Sequence, residues 1–157
     1  MRAFLQSRGV GVLLTTAIVV LALVAASVHL SLGSLLFLLN GLGYLGLAGL
    51  IVIGYLKPHP FVARFDWFPR LALMGYAATT IVGYLIIGPY STLGWATKAV
   101  EAVMIGLLAL DLVRVYGGVR GVWHAVVGSV LGRSVERQSE ADRGSAVPGG
   151  VTSSEIR

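Results

Sequence analysis

Two residues of opposite charge, Lys98 and Glu101, lie three positions apart in a stretch that is otherwise rich in apolar residues. A helix turns by about 100° per residue, so the two side chains are expected about 60° apart around its axis, within reach of each other. A carboxylate at membrane depth costs about 3 kcal/mol, so Glu101 is expected to be paired and to face protein or water. Such a pair can bind a substrate, an ion or a proton, or it can fix the register of the helices. The structural role is the preferred interpretation.

The other ionisable residues give weaker grounds for a site. Asp111 and Arg114 are also three residues apart, near the end of the same stretch, and an interfacial ion pair accounts for both. The three histidines are scattered, with His29 expected at an interface, so they predict no facing pair of haem ligands and no metal site. Since there is no cysteine, and no serine beside a base at membrane depth, the sequence predicts no catalytic residue, no cofactor and no enzyme.

These residues belong to a chain that is far more apolar than a soluble domain. Of its 157 residues, 56% are hydrophobic and 12% are charged, and the mean hydropathy is +0.84. A soluble domain carries about 25% charged residues. Lys and Arg number 12 against 7 for Asp and Glu, which gives a net charge of +5. The composition predicts a membrane protein whose main partner is the lipid bilayer, with no nucleic-acid partner.

Runs without charge divide the chain into membrane spans. Residues 9–56 contain no charged residue, enough for two spans, and a polar turn at 29–34 separates them. A second charge-free run, 71–97, is interrupted by Gly88 and Pro89. We therefore predict an all-α fold, a membrane four-helix bundle within residues 1–116. Its predicted spans are 9–28, 35–56, 71–88 and 93–113.

Basic residues determine the predicted orientation of this bundle. Arg2 and Arg8 precede the first span, three basic residues lie in the loop 57–70, and Arg114 and Arg120 follow the fourth span. The two remaining connections carry no charge. Because basic flanks stay in the cytoplasm, both termini are predicted there, in a multi-pass protein of the cell membrane.

Beyond the fourth span, residues 117–137 have the pattern of an amphipathic helix. Apolar residues recur at three- and four-residue steps, while Arg120, Arg133 and Arg137 fall largely on the other side. We expect this helix to lie on the cytoplasmic leaflet with its arginines at anionic lipid headgroups. The alternative is a cytoplasmic extension of the fourth span that packs on a partner helix. Residues 138–157 contain little to bury and are predicted to form a disordered tail.

Small residues at helical spacing predict how the spans pack. Between membrane helices the hydrophobic gain is small, so close approach at glycine, alanine and threonine matters more. Three such stripes are expected to form the inner contacts of the bundle. The second span carries Gly41, Gly43, Gly46, Ala48 and Gly49, the third carries Gly75, Thr79 and Gly83, and the fourth carries Ala99, Ala102, Gly106 and Ala109.

The segment 28–48, VHLSLGSLLFLLNGLGYLGLA, carries a resemblance to a known family. It resembles small four-span membrane proteins best represented in halophilic archaea, in which a His-Leu-x-Leu-Gly turn leads into a Phe-Leu-Leu-x-Gly-Leu-Gly helix. An acidic residue that opens the last helix of that family is similar in position to Glu101. The resemblance extends over residues 10–115 and implies the four-span architecture but no activity. This chain departs from the family in being basic and in its C-terminal helix and tail.

Together these features predict a structural or interaction subunit of the membrane without enzymatic activity. Its predicted partners are anionic lipid headgroups of the inner leaflet and, as a further candidate, another membrane protein or a second copy of the chain. The alternative is a small transporter or an ion-conducting oligomer that uses Lys98 and Glu101.

Overall fold

The computed structural model describes residues 7–56 and 64–131, and within them the chain is almost entirely helical, with no strand. We number the helices α1 (Arg8–Ser31), α2 (Leu35–Leu56), α3 (Trp67–Ile87), α4 (Thr92–Tyr116) and α5 (Val119–Leu131). The first four pack as an up-and-down bundle in which α1 contacts α2 and α4, and α3 contacts the same two helices. The predicted all-α bundle is confirmed.

The two ends of the bundle differ. One end carries the short turns between α1 and α2 and between α3 and α4, and we call it the two-turn end; the opposite one is the terminal end. Ser91 caps α4 by accepting a hydrogen bond from the Gly94 amide at 3.1 Å. In the other turn Gly33 has φ 73°, a left-handed conformation that glycine adopts without steric cost. Both turns therefore rest on residues suited to a sharp reversal of the chain.

The buried core is apolar and draws on all four bundle helices. It consists of Ile18, Ala22, Ala25, Ala26, Tyr44, Ala48, Ile51, Leu73, Ala77, Met104 and Leu108. Alanines of α1 face Gly41 of α2, where a Cβ atom would lie 3.1 Å from the Ala26 carbonyl oxygen and closer still to the Leu30 side chain. The backbones of α1 and α2 therefore approach each other at small residues, as membrane helices do.

The outer surface of the bundle is also apolar. Large aliphatic side chains such as Leu13, Leu36 and Ile86 are mostly exposed. By length and composition, α1, α2 and α3 can each cross a membrane, and a fourth crossing is reached if α4 and α5 count as one bent span. Soluble monomers rarely expose large continuous apolar patches, so the fold is compatible with a membrane location.

Helix α3 begins before the predicted span 71–88, and helix α4 ends beyond the predicted span 93–113. α3 begins at Trp67 and includes Arg70, while α4 continues past Arg114 to Tyr116. Both arginines form ion pairs with the buried Asp111. Because their charges are neutralised inside the bundle, they do not mark the ends of the helices.

Of the stripe predicted for α2, Gly41 and Ala48 are buried. The stripes of α3 and α4 instead lie on the outside of the bundle, which corrects the predicted packing of these two helices. Gly83 is half-buried, and the remaining members are exposed: Gly75, Thr79, Ala99, Ala102, Gly106 and Ala109. A Cβ atom on any of the three glycines would meet nothing within 4 Å. α4 instead turns inward the face that carries Lys98, Glu101 and Asp111. Exposing those charges to lipid would cost more free energy than close packing of the small residues would supply.

α5 leaves the bundle at an angle of 72° to α4. Gly117, with φ 75°, ends α4 in the left-handed conformation, and Gly118 follows with φ 125°. A Cβ atom on Gly121 would overlap the carbonyl oxygen of Tyr116. The bend thus depends on three glycines, and α5 is not a straight continuation of α4.

The far end of α5 is held against the start of α3. Arg64 donates from Nε to the Ser129 carbonyl oxygen at 2.8 Å, and Trp67 donates from its indole nitrogen to the Ser129 hydroxyl at 3.1 Å. Arg120, one of the predicted headgroup residues, is exposed on α5. The other two, Arg133 and Arg137, lie outside the described residues together with the predicted tail 138–157.

Candidate functional site

Glu101 lies at the centre of a polar cluster in the half of the bundle nearer the two-turn end. Its side chain is 0% exposed. Lys98 donates from Nζ to Glu101 Oε2 at 2.6 Å, and the Thr80 hydroxyl donates to the same oxygen at 2.7 Å. Lys98 and Glu101 therefore form the ion pair that their spacing permits, and α3 contributes a third group.

His29 of α1 completes this cluster, which we call the Glu101 cluster: His29, Tyr44, Thr80, Lys98 and Glu101. The His29 ring is 4% exposed, and its Nε2 atom lies 3.8 Å from Glu101 Oε1. The other ring nitrogen, Nδ1, is 2.7 Å from the carbonyl oxygen of Ala25. His29 is therefore not the interfacial residue expected from the sequence, because the last turn of α1 packs against α2 and α4.

The two oxygens of Glu101 have different surroundings. Oε2 accepts two hydrogen bonds, whereas Oε1 is buried and has no hydrogen-bond donor among the described residues. An unpartnered oxygen of this kind is costly in a medium of low dielectric constant. On α1, the ionisable group that Oε1 faces is the ring of His29.

Hydroxyl groups extend the Glu101 cluster across the bundle to α2. Thr80 is within hydrogen-bond distance of two atoms that only accept, the Ala77 carbonyl oxygen and the Glu101 carboxylate. Its single proton is therefore committed, and Tyr44, 3.0 Å away, donates its hydroxyl proton to Thr80. The Tyr44 ring also contacts His29, with ring centres 5.5 Å apart. All four bundle helices thus meet at one polar site.

Aromatic rings cover the Glu101 cluster on the side of the two-turn end. Tyr84 packs edge-on against Tyr90 and Trp95, and the Lys98 ammonium lies 5.8 Å from the centre of the Tyr84 ring. The cation–π contact adds to the ion pair in holding Lys98 inside the bundle. Lys98 is buried as a result, although it lies within two helical turns of the start of α4.

A second group of buried charges, the Asp111 cluster, lies near the terminal end. Asp111 is 1% exposed and pairs with Arg70 of α3 at 2.8 Å and with Arg114, one turn further along α4, at 2.8 Å. Arg70 also pairs with Asp66. The interfacial pair predicted for Asp111 and Arg114 is thus a buried network that joins α3 to α4.

Arg70 and Thr80 were not predicted as site residues, although the turn between α3 and α4 contains a signal for both. In an antiparallel pair, residues at similar distances from the turn lie at similar depth. Thr80 precedes Gly88 by 8 residues and Glu101 follows Ser91 by 10. Arg70 and Asp111 are 18 residues before and 20 residues after the same positions. This common offset pairs each acidic residue of α4 with its partner on α3.

The chain matches no protein family, and no curated protein or solved structure is significantly similar to it. The resemblance to the halophile membrane proteins stays a prediction. Within the described residues, no group of three or more His, Asp or Glu side chains is arranged to hold a metal ion. The interpretation of the Glu101 cluster therefore depends on its own geometry.

Proposed function

We propose that this chain is a membrane interaction subunit without enzymatic activity, and that the outer face of α4 binds another transmembrane helix. The observation that carries the proposal is the exposed small-residue stripe of α4. It lies on the side of α4 away from Glu101 and Asp111, with Lys98 at its edge. All three charged residues are buried among partners from the same chain. The internal ion pairs stabilise the bundle and leave the stripe unoccupied.

This stripe allows a second helix to approach the backbone of α4 closely. A Cβ atom on Gly106 would meet nothing within 4 Å, and Ala102 beside it is exposed. Interfaces between membrane helices are enriched in such small residues, because they let the two backbones come close enough for van der Waals contact. The exposed side of α1 instead carries large residues such as Leu13 and Val20, which suit contact with lipid tails.

The same proposal places the chain in the cell membrane with both termini in the cytoplasm. α5 then lies at the inner leaflet, where its exposed apolar residues, Val119, Trp123 and Val130, can enter the lipid. Arg120 is exposed close to them and is positioned for anionic headgroups. The partners are therefore a second membrane helix and the anionic lipid surface.

Photocrosslinking in native membranes, with a photoreactive reagent attached to a single introduced cysteine, tests the α4 interface, because the chain contains no cysteine of its own. Ala102→Cys is expected to form a crosslinked species, either with a second copy or with another membrane protein. Val20→Cys, which is 51% exposed on α1, is the matched control and is expected to remain uncrosslinked. Equal crosslinking at the two positions, or none at Ala102→Cys, would contradict the proposal.

A second candidate function, a small transporter or ion-conducting oligomer, is favoured by one observation. Glu101 Oε1 is buried without a hydrogen-bond donor among the described residues, next to the Lys98 ion pair. Intramembrane ionisable residues commonly mark ion pathways. Flux of cations and protons into liposomes tests this function. A flux that depends on Glu101, and that Glu101→Gln abolishes, would favour the transporter over the interaction subunit.

A further inference from the structure

The two nitrogens of the His29 ring can be assigned from their partners. Nδ1 lies 2.7 Å from the carbonyl oxygen of Ala25, and a carbonyl oxygen can only accept a hydrogen bond. Nδ1 therefore carries a proton and donates it to Ala25. In the neutral ring the second nitrogen, Nε2, then has a lone pair and no proton, since the hydrogen bond made by one nitrogen determines the state of the other.

This assignment leaves two acceptor atoms facing each other inside the bundle. The lone pair of His29 Nε2 lies 3.8 Å from Glu101 Oε1, the one carboxylate oxygen without a donor among the described residues. Oε2 of the same carboxylate is already satisfied by Lys98 and Thr80. A single proton on Nε2 would turn the opposed lone pairs into a charge-assisted contact of opposite charges.

We propose that His29 Nε2 and Glu101 Oε1 form a proton-binding site between α1 and α4. One proton is taken up from solution, a bond forms between it and Nε2, and the neutral imidazole becomes an imidazolium that faces the carboxylate. The proton leaves an O–H bond of hydronium, which becomes water, and the charge of the Glu101 cluster changes from zero to +1. This site goes beyond the proposed interaction function and requires neither a partner protein nor flux across the membrane.

The groups that surround this site favour the added proton on His29 rather than elsewhere. α1 contributes only His29, α2 contributes the Tyr44 phenol, and α4 contributes Lys98 and Glu101. From α3, Thr80 is committed to the other carboxylate oxygen, Tyr76 packs against Tyr44, and Tyr84 lies beneath Lys98. Among these side chains, His29 Nε2 and Glu101 Oε1 are the two acceptor atoms that lie next to each other and accept no hydrogen bond.

Protonation also has a mechanical consequence for α1 and α4. The separation of 3.8 Å between Nε2 and Oε1 exceeds the range of an N–H···O hydrogen bond, which ends at about 3.2 Å. The protonated pair is expected to close by about 0.6 Å to reach that range. His29 lies two residues before the end of α1, so the movement falls at the two-turn end.

Nitrogen NMR of the full chain in detergent or nanodiscs tests the site, because the sequence has only three histidines. Signals are assigned with His59→Gln and His124→Gln, which leave His29 in place. At high pH, His29 is expected as the tautomer with its proton on Nδ1, and at low pH with both nitrogens protonated. If His29 at high pH instead carries its proton on Nε2 alone, the proposal is overturned. This measurement requires no substitution in the Glu101 cluster.

The contribution of Glu101 is tested by Glu101→Gln, which keeps the shape of the side chain and an oxygen that can accept from Lys98 and Thr80. At the same low pH, the variant is expected to show a smaller doubly protonated fraction of His29 than the wild type, because the carboxylate that faces Nε2 is gone. His124→Gln, an exposed change on α5, is the control and is expected to leave that fraction unchanged.

Unchanged protonation of His29 in folded Glu101→Gln would contradict the proposal, as would an identical change in His124→Gln. If Glu101→Gln does not fold, the tautomer of wild-type His29 still decides, because the assignment to Nδ1 is a property of the unmodified chain. The outcome is distinct from that of the Ala102→Cys crosslinking test. Loss of the α4 interface leaves the His29 tautomer as it is.

Discussion

Replacing Asp111 by asparagine removes the only carboxylate that joins α3 to α4 in the Asp111 cluster. In the wild type its Oδ2 atom accepts from Arg70 Nε at 2.8 Å, and its Oδ1 atom accepts from Arg114 at 2.8–2.9 Å. Asparagine keeps the volume but supplies one acceptor oxygen and no charge. Two guanidinium groups then remain inside the bundle, and only one of the two acceptor oxygens at this position is left for them.

The expected size of the effect follows from burial. Breaking a buried ion pair by removing one partner costs about 3–5 kcal/mol, because the other charge is left unpaired. Arg70 retains Asp66, and the Arg114 side chain is 17% exposed, so the lower end of that range, about 3 kcal/mol, is expected. Asp66→Asn is the matched control. Asp66 is 29% exposed, and its only ion pair among the described residues is with Arg70, so about 1 kcal/mol is expected there.

Reversible unfolding of the full chain in mixed micelles, followed by tryptophan fluorescence, measures both changes. We expect Asp111→Asn to lower the free energy of unfolding about three times as much as Asp66→Asn, in line with the burial of each residue. If Asp111→Asn is as stable as the wild type, or if the two variants are equally destabilised, the Asp111 cluster does not stabilise the bundle as inferred.

Three further predictions concern glycines and α5. Gly41→Leu is expected to destabilise the bundle by about 1–3 kcal/mol in the same unfolding assay, because its side chain would meet Leu30 and the Ala26 carbonyl. Gly106→Leu is expected to leave unfolding unchanged and to abolish crosslinking at α4. Equal destabilisation by both substitutions would mean that the α4 stripe packs inside the bundle. Gly121→Ala is expected to disturb the bend, because its Cβ atom would overlap the Tyr116 carbonyl oxygen; spin labels on α4 and α5 that report an unchanged angle would contradict this. In nanodiscs with anionic lipid, an environment-sensitive dye on Trp123→Cys is expected to report an apolar environment, and the same dye on His124→Cys a polar one. The reverse result would contradict the placement of α5 on the leaflet.

The helices themselves could be predicted from the sequence because lipid tolerates few charges. The runs without charge at 9–56 and 71–97 contain α2, all of α1 except Arg8, and most of α3. The bounds were less accurate where an arginine lies inside a helix. Arg70 and Arg114 resemble loop charges in the sequence, although both pair with Asp111 in the structure and Arg70 also pairs with Asp66.

Small residues alone do not identify, from the sequence, which face of a helix packs inside the bundle. α4 carries a small-residue stripe on one side and four charged residues beside or across from it. Each rule taken separately assigns a different side to the interior. The structure shows that the charges prevail, since an unpaired charge in lipid costs more than an unfilled contact at Gly106. Close packing at small residues occurs in the stripe predicted for the second span, where Gly41 approaches Ala26.

His29 could not be assigned to the site from the sequence, because its position near a turn is typical of an interfacial residue. Its inclusion depends on α1 and α4 being neighbours, and no local pattern specifies which helices pack side by side. Thr80 and Arg70 are different, since their distances from the turn at 88–91 match those of Glu101 and Asp111. The part of the site within one helical hairpin was therefore predictable, and the part between hairpins was not.

Labelling of single cysteines in intact cells tests the central claim that four helices cross the membrane and return both ends to the cytoplasm. Ser31→Cys and Ser91→Cys lie exposed at the two-turn end, and Arg120→Cys lies exposed on α5. With a thiol reagent that cannot cross the membrane, the first two positions are expected to react in intact cells and the third only after permeabilisation. Reaction of Ser31→Cys and Ser91→Cys from opposite sides, or of Arg120→Cys from outside, would contradict the account.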